Sequence, residues 1–277
     1  KEAGIDIPTL CYLKDINEVG ACRVCLVEVE GARSLQASCV LPVREGMVVK
    51  TNTKNVRSTV KTTVELILAN HNRECLTCSR NKNCELQSIS EELGIEEVSF
   101  EGAKRQGTID NFSHSIVRDA SKCILCGRCV NVCKQSQGIG VLDFTNRGFD
   151  TEVAPAFGKS MADAPCIYCG QCIVNCPVAA LREKNDVEKV RDAIEDPYTL
   201  VVVQTAPAVR AALGEEFGLP IGTRVTGKMV SALKRLGFNK VFDTNFAADL
   251  TIMEEGHELL DRLQNGGKLP MITSCSP

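Results

Sequence analysis

The sequence predicts an α+β chain built from several small domains, and three features predict it. All but one of the sixteen cysteines lie at or before Cys176, in separated groups. From there to Cys275 the text is free of cysteine and alternates strand-like with helix-like segments, the pattern of a parallel sheet joined by helices. A length of 277 residues is enough for about two domains of ordinary size, but so many cysteines point to smaller units held together by bound groups.

The first group is Cys11, Cys22, Cys25 and Cys39, spaced C-x10-C-x2-C-x13-C. Gly20 and Ala21 leave the backbone free to wrap closely around a cluster, where N–H groups can face its sulfurs. A strand is expected over Arg23 to Glu30, from the alternation of Cys25, Val27 and Val29. Four thiolates around zinc are the bland alternative.

From Val56 to Asn70, Val60, Val64, Ile67 and Leu68 follow helical spacing and lead to His71. Cys75, Cys78 and Cys84 follow, so that H-x3-C-x2-C-x5-C gathers one imidazole and three thiols within fourteen residues. A lone histidine is usually structural; here three cysteines lack a fourth partner, which favours ligation. His114 and His257 have no such company and read as ordinary residues. Glu91 to Ser121 reads as a helix end and a connecting loop.

Next come two copies of one run: Cys123, Cys126, Cys129, Cys133, and Cys166, Cys169, Cys172, Cys176 followed by Pro177. Both read C-x2-C-x2-C-x3-C, the bacterial ferredoxin spacing, in which the fourth cysteine ligates the other cluster. By that rule Cys123, Cys126, Cys129 and Cys176 hold one 4Fe-4S cube, and Cys166, Cys169, Cys172 and Cys133 hold its twin. Convergence on one cube needs short gaps and small neighbours such as Gly127 and Gly170. Zinc knuckles, the competing use of C-x2-C, pair ligands in twos rather than fours. Gly138 to Ala162 reads as short strands and loops.

After Val187 the expected order is a strand at Leu200 to Val203, a helix at Pro207 to Phe217 and a helix near Met229 to Leu236 stopped by Gly237. A strand at Lys240 to Asp243, a helix from about Ala247 to Gln264 and a strand around Met271 to Thr273 complete an open α/β sheet. In such sheets the chemistry lies beyond the carboxyl ends of the strands. Thr205-Ala206-Pro207 and Thr273-Ser274-Cys275-Ser276-Pro277 occupy that place.

Charge and composition narrow the function classes. With 32 basic and 35 acidic side chains the net charge is −3, which is no nucleic-acid footprint. Tryptophan is absent and aromatics are 4 %, against a base-stacking platform. No apolar run reaches the roughly 18 residues of a membrane span. Cysteines in C-x2-C neighbours without a secretory signal point to metal ligation in a reducing cytoplasm. Residue 1 is Lys, so a targeting segment cut away before it is compatible with this reading.

The first cysteine group resembles the 2Fe-2S ferredoxin domains of hydrogenases and of the large iron–sulfur subunit of respiratory complex I; its spacing departs from the plant C-x4-C-x2-C in the way that subfamily does. The resemblance implies a β-grasp remnant, and the helix-like KEAGI at the start, where a strand hairpin is expected, implies a fragment. His71, Cys75, Cys78 and Cys84 resemble the 4Fe-4S domain with one histidine and three cysteine ligands of the same families. QTAPAVR at Gln204 to Arg210, ADLTIMEEGHEL at Ala248 to Leu259 and PMITSCSP at Pro270 to Pro277 are similar to the opening of the catalytic domain of iron-only (FeFe) hydrogenases of the multi-cluster, NADH-linked or electron-bifurcating type. The resemblance covers essentially the whole chain. It implies residues 1–54 as the 2Fe-2S domain, 55–112 as the His-ligated 4Fe-4S domain, 113–192 as the two-cube ferredoxin domain and 193–277 as the N-terminal part of the catalytic domain.

The same resemblance implies one 2Fe-2S and three 4Fe-4S clusters, with the H-cluster, a 4Fe-4S cube bridged to a two-iron unit, in the full-length protein. It implies Cys275 as a ligand of that cube, Glu255 and Glu258 as proton-passing residues, and Ala206 and Pro207 as walls of the cyanide pocket. The family motif reads TSCCP, and Ser276 stands where the second cysteine would be. A hydroxyl donates and accepts hydrogen bonds but is a poor iron ligand beside a thiolate, which favours ligation by Cys275 and proton relay by Ser276. The opposite assignment would imply an atypical cluster, and an unmodified buried thiol at Cys275 is the bland alternative. Expected partners are a flavin- and NADH-binding subunit, a small 2Fe-2S subunit or a soluble ferredoxin. The rivals are a complex I-type NADH dehydrogenase subunit, which lacks the APAVR and TSCSP segments, and a hydrogenase-like sensory or electron-relay protein.

Overall fold

The computed structural model describes residues 4–105 and 107–273, which fall into two compact units, residues 1–184 and 185–277. The first unit opens on a small antiparallel sheet. Strand β1, Leu26–Val29, sits between β2, Gln36–Ala37, and β3, Val49–Lys50, in the registers Leu26 with Ala37 and Val29 with Val49. Helix α1, Lys54–Ala69, follows at once, because the Thr53 hydroxyl accepts the Val56 N–H at 3.2 Å and satisfies one of the donors that a helix start leaves free. Its valines 56, 60 and 64 form the buried stripe. Helix α2, Glu85–Glu92, buries Leu86 and Ile89.

Strand β4, Ile109–Asp110, pairs with β5, Ile116–Asp119, and β5 pairs on its other edge with β8, Leu181–Glu183. This corrects part of the sequence reading of Glu91 to Ser121 as a helix end and a connecting loop: the helix end is that of α2, but the loop holds two strands. All four residues of β5 are buried, Arg118 and Asp119 included, so the alternation of apolar and polar residues that marks a half-exposed strand is missing. Between β5 and β8 lie the short helix α3, Arg128–Asn131, the hairpin of β6, Leu142–Thr145, with β7, Glu152–Pro155, and the short helix α4, Gln171–Val174. One continuous core takes Leu10 and Val24 from the first cysteine segment, Val64 and Leu86 from the second, and Ile116, Met161 and Val178 from the third. The three cysteine-bearing segments are thereby fixed to one another by shared packing.

The second unit runs α5, Val187–Glu195; β9, Val202–Thr205; α6, Val209–Glu216; α7, Thr226–Leu236; β10, Lys240–Asp243; and α8, Thr244–Asn265. Strands β9 and β10 are parallel, with Val203 opposite Val241. Gly237 ends α7 at φ 111° and Gly266 ends α8 at φ 77°, conformations glycine adopts without a Cβ clash. Two expectations are corrected. Met271–Thr273 is not a strand, since among the described residues the parallel sheet has two members and nothing pairs with this segment. Pro207 lies in the turn before α6 rather than in its first helical turn.

Candidate metal centres

The two ferredoxin-type runs use one local design twice. In the first, Cys123 leaves β5 through a tight turn, Leu125 takes a left-handed φ of 53°, and Gly127 at φ 79° caps α3, which carries Cys129. In the second, Tyr168 at φ 54° and Gly170 at φ 73° lead into α4 with Cys172. A left-handed leucine or tyrosine is strained. The geometry it secures is visible: the Leu125 N–H donates to Cys123 Sγ and the Tyr168 N–H to Cys166 Sγ, both at 3.4 Å.

The fourth cysteine of each run crosses over. Cys123, Cys126, Cys129 and Cys176 line one small cavity, and Cys133, Cys166, Cys169 and Cys172 line another. Burial pushes the Cys126 and Cys172 thiols up to about 12, with neighbouring cysteines adding to it, Cys176 beside Cys126 and Cys166, Cys169 and Cys133 around Cys172. Burial raises Cys123, Cys129 and Cys166 as well. Four sulfurs around one cavity cannot all ionise in a low-dielectric interior unless a cation balances them. The donor set therefore fits an iron–sulfur cube in each cavity.

Cys11, Cys22, Cys25 and Cys39 fall into two hydrogen-bonded pairs. The Cys11 thiol is raised and Cys22 lowered by the hydrogen bond they share, while burial and the hydrogen bond to Cys25 push Cys39 up to about 12. Cys39 also lies within electrostatic reach of Cys22. Gly20, at φ 60°, brings the backbone within 3.1 Å of Val40, measured from where a Cβ would stand.

Cys84 lies within electrostatic reach of Cys78 and Cys75. His71 is buried, and its Nδ1 has no hydrogen-bond partner among the described residues. Burial lowers its pKa to about 4, while a backbone contact with Lys122 acts in the opposite direction. At neutral pH the ring is uncharged, the form that ligates a metal, and an orphaned buried nitrogen fits that use. The charged groups around it are Lys122, Asp119 and Arg73.

The sites expected in the second unit are less assembled. Ala206 and Pro207 are exposed in the turn after β9, where Arg210 Nε donates to the Pro207 carbonyl at 3.2 Å and its Nη2 pairs with Asp243 Oδ1 at 3.1 Å. Glu255 is half-buried on α8; Glu258 is exposed and pairs with Arg262 one turn on. Cys275 and Ser276 lie outside the described residues. His257 Nδ1 meets the Met253 carbonyl within its own helix at 2.8 Å, and His114 stands edge-on to Tyr168 with ring centroids 6.5 Å apart.

Three residues near the cavities were not picked out in the sequence. Asn17 is buried against Cys11 and Cys126, Arg118 is buried on the wall of the first cavity, and Arg128, buried next to Cys129 in sequence, pairs with Glu85 at 2.7 Å. Only Arg128 carries a readable signal: aligning the runs sets CILCGRC against CIYCGQC, with Arg128 opposite Gln171.

Comparison with known families gives four matches in order along the chain. They are a 2Fe-2S iron–sulfur cluster binding domain at residues 1–54, the NADH-ubiquinone oxidoreductase-G iron–sulfur binding region at 61–99, a 4Fe-4S binding domain at 115–139 and the C-terminal domain of the iron-only hydrogenase large subunit at 199–277. The NADP-reducing hydrogenase subunit HndD of Solidesulfovibrio fructosivorans is 50 % identical over 100 % of this chain and 49 % of its own length. Iron hydrogenase 1 of Clostridium pasteurianum is 40 % identical over 100 % of this chain and 48 % of its own. Among solved structures, one chain of an NAD+-reducing [NiFe]-hydrogenase in the H2-reduced state superposes with a TM-score of 0.61 at 30 % identity, over 66 % of this chain and 77 % of that one. The chain spans about half the length of the curated relatives it matches. Iron–sulfur modules thus lead into sequence that matches the iron-only hydrogenase large subunit, and the chain is similar along its whole length to about half of each of two hydrogenases.

Proposed function

We propose that this chain is the iron–sulfur electron-transfer portion of an FeFe hydrogenase catalytic subunit, serving the reversible conversion of two protons and two electrons to dihydrogen. The observation that carries the reading is the succession of four cysteine-rich motifs along the sequence followed by hydrogenase large-subunit sequence at 199–277. The iron–sulfur region shared with NADH-ubiquinone oxidoreductase-G supports a complex I-type subunit as the second reading, but that reading leaves the hydrogenase sequence unexplained.

Cys11, Cys22, Cys25 and Cys39 would hold a 2Fe-2S cluster, and His71, Cys75, Cys78 and Cys84 a 4Fe-4S cluster. Cys123, Cys126, Cys129 and Cys176 would hold one cube and Cys166, Cys169, Cys172 and Cys133 its twin, across domains at 1–54, 55–112, 113–192 and 193–277. Bound clusters of these kinds take up and release one electron at a time. The chain orients the sulfurs with left-handed turns, points N–H groups at them and excludes water with the shared core. In the full-length protein Cys275 would ligate the cube of the H-cluster. Ser276, Glu255 and Glu258 would hold or pass protons, and Ala206 and Pro207 would shape the pocket wall. A flavin- and NADH-binding subunit, a small 2Fe-2S subunit or a soluble ferredoxin would exchange electrons with the N-terminal modules in the cytoplasm, in an arrangement suited to electron bifurcation.

Expression of the full-length parent with an iron-maturation system, assayed for hydrogen evolution, tests this. A fully loaded, inactive protein would reject it. The chain of residues 1–277 alone is expected to bind iron and make no hydrogen.

A further inference from the structure

We propose that Arg118 sets the centre held by Cys123, Cys126, Cys129 and Cys176 at a higher reduction potential than its twin, making it the preferred resting place of an electron shared by the pair. The inference rests on the cluster assignments above and concerns what the chain supplies to two otherwise duplicate sites.

Arg118 comes from β5, is buried, and lines the first cavity. Its Nη1 donates to Glu152 Oε2 and to the Val153 carbonyl, both at 3.3 Å, and its Nη2 to Thr108 Oγ1 at 3.4 Å, while Nε has no partner among the described residues. Glu152 offsets this charge incompletely: its side chain is 24 % exposed against 9 % for Arg118, so water screens the carboxylate more than the guanidinium. Asp119, the other charged residue on the cavity wall, is occupied. Its Oδ1 accepts the Ser121 N–H at 3.1 Å and hydroxyl at 2.6 Å, and Oδ2 lies 3.9 Å from Lys122 Nζ.

The second cavity is a natural control. Apart from its cysteines, none of the residues lining it carries a charge; Gln137 and Gln171 are its polar members. Arg128, which stands where the twin run has Gln171, is outside this comparison: its Nη1 pairs with Glu85 Oε1 at 2.7 Å. Each electron added to a cube adds one negative charge, and a buried cation stabilises the reduced form. Cluster potentials respond to such net charge.

The test is a potentiometric titration followed by electron paramagnetic resonance on the whole chain loaded anaerobically with iron and sulfide. Arg118→Met, Arg118→Lys and Glu152→Gln are compared with the unmodified chain, and the first cube is identified by the signal missing from Cys126→Ala. Arg118→Met should lower the midpoint of that cube, Glu152→Gln should raise it and Arg118→Lys should largely preserve it, with the twin unmoved throughout. Opposite signs from the two partners separate an electrostatic role from a structural one. Midpoints that stay put in loaded variants, or that move together for both cubes, overturn the proposal alone. A chain that takes up no iron overturns the cluster reading and the proposal with it.

Discussion

Asn17 ties two distant cysteine segments together: its side-chain amide donates to the Cys11 carbonyl at 2.6 Å and, across 109 residues of sequence, to the Cys126 carbonyl at 3.0 Å. Its own oxygen accepts from Asn131 Nδ2 at 2.6 Å. A buried amide with all these partners acts as a spacer between two candidate cluster loops. Asn17→Ala leaves two buried carbonyls and one donor unmatched, and should cost about 2–3 kcal/mol. The shift of the denaturant midpoint, at unchanged slope, measures it.

Crossed ligation is tested by Cys176→Ala. Loss of about four iron atoms from a total of about fourteen should come from the cube of Cys123, Cys126 and Cys129. Resonance signals from the centre of Cys166, Cys169 and Cys172 should persist; their disappearance instead would refute the crossing. Zinc in place of iron in the unmodified chain would overturn all four assignments.

Protonation opposes loading. In the metal-free chain Cys126 and Cys172 hold their protons up to about 12, so binding iron must release them. Uptake is therefore expected to strengthen from pH 7 to 9, with proton release detectable in weakly buffered solution. The metal-free fold should respond in the opposite sense. These thiols ionise near 9 when unfolded and near 12 when folded, so the contribution of burying them is intact below pH 9 and fades as pH rises towards 12. Melting temperature against pH, with and without iron, checks both signs.

The backbone cost of the turn is measurable at Gly170, where an added Cβ meets nothing within 4 Å. Gly170→Ala should destabilise by about 1 kcal/mol, all of it from the left-handed conformation. A much larger loss in thermal denaturation would show that the turn carries strain beyond its own φ.

The cysteine groups were legible because thiol spacing is local chemistry, and helix α1 because its valines repeat every four residues. Strand β5 was not, since Arg118 and Asp119 look solvent-facing in the text and become buried only through partners on β7 and in the following turn. Asn17 was illegible for a related reason: its meaning depends on a carbonyl more than a hundred positions away. Leu125 and Tyr168 gave no sign of a left-handed backbone, because nothing in either residue type favours it. In the second unit the parallel pair was readable from the strand and helix periods, whereas the expected strand at Met271–Thr273 had the right composition but no neighbour to pair with.

The exchange of fourth cysteines makes the twin cavities a clasp. Cys133 belongs to the first run yet walls the second cavity, and Cys176 does the reverse, so neither chamber is complete until both loops have closed. The halves of the duplication cannot mature one after the other, and a chain cut between β6 and β7 would forfeit both chambers rather than one.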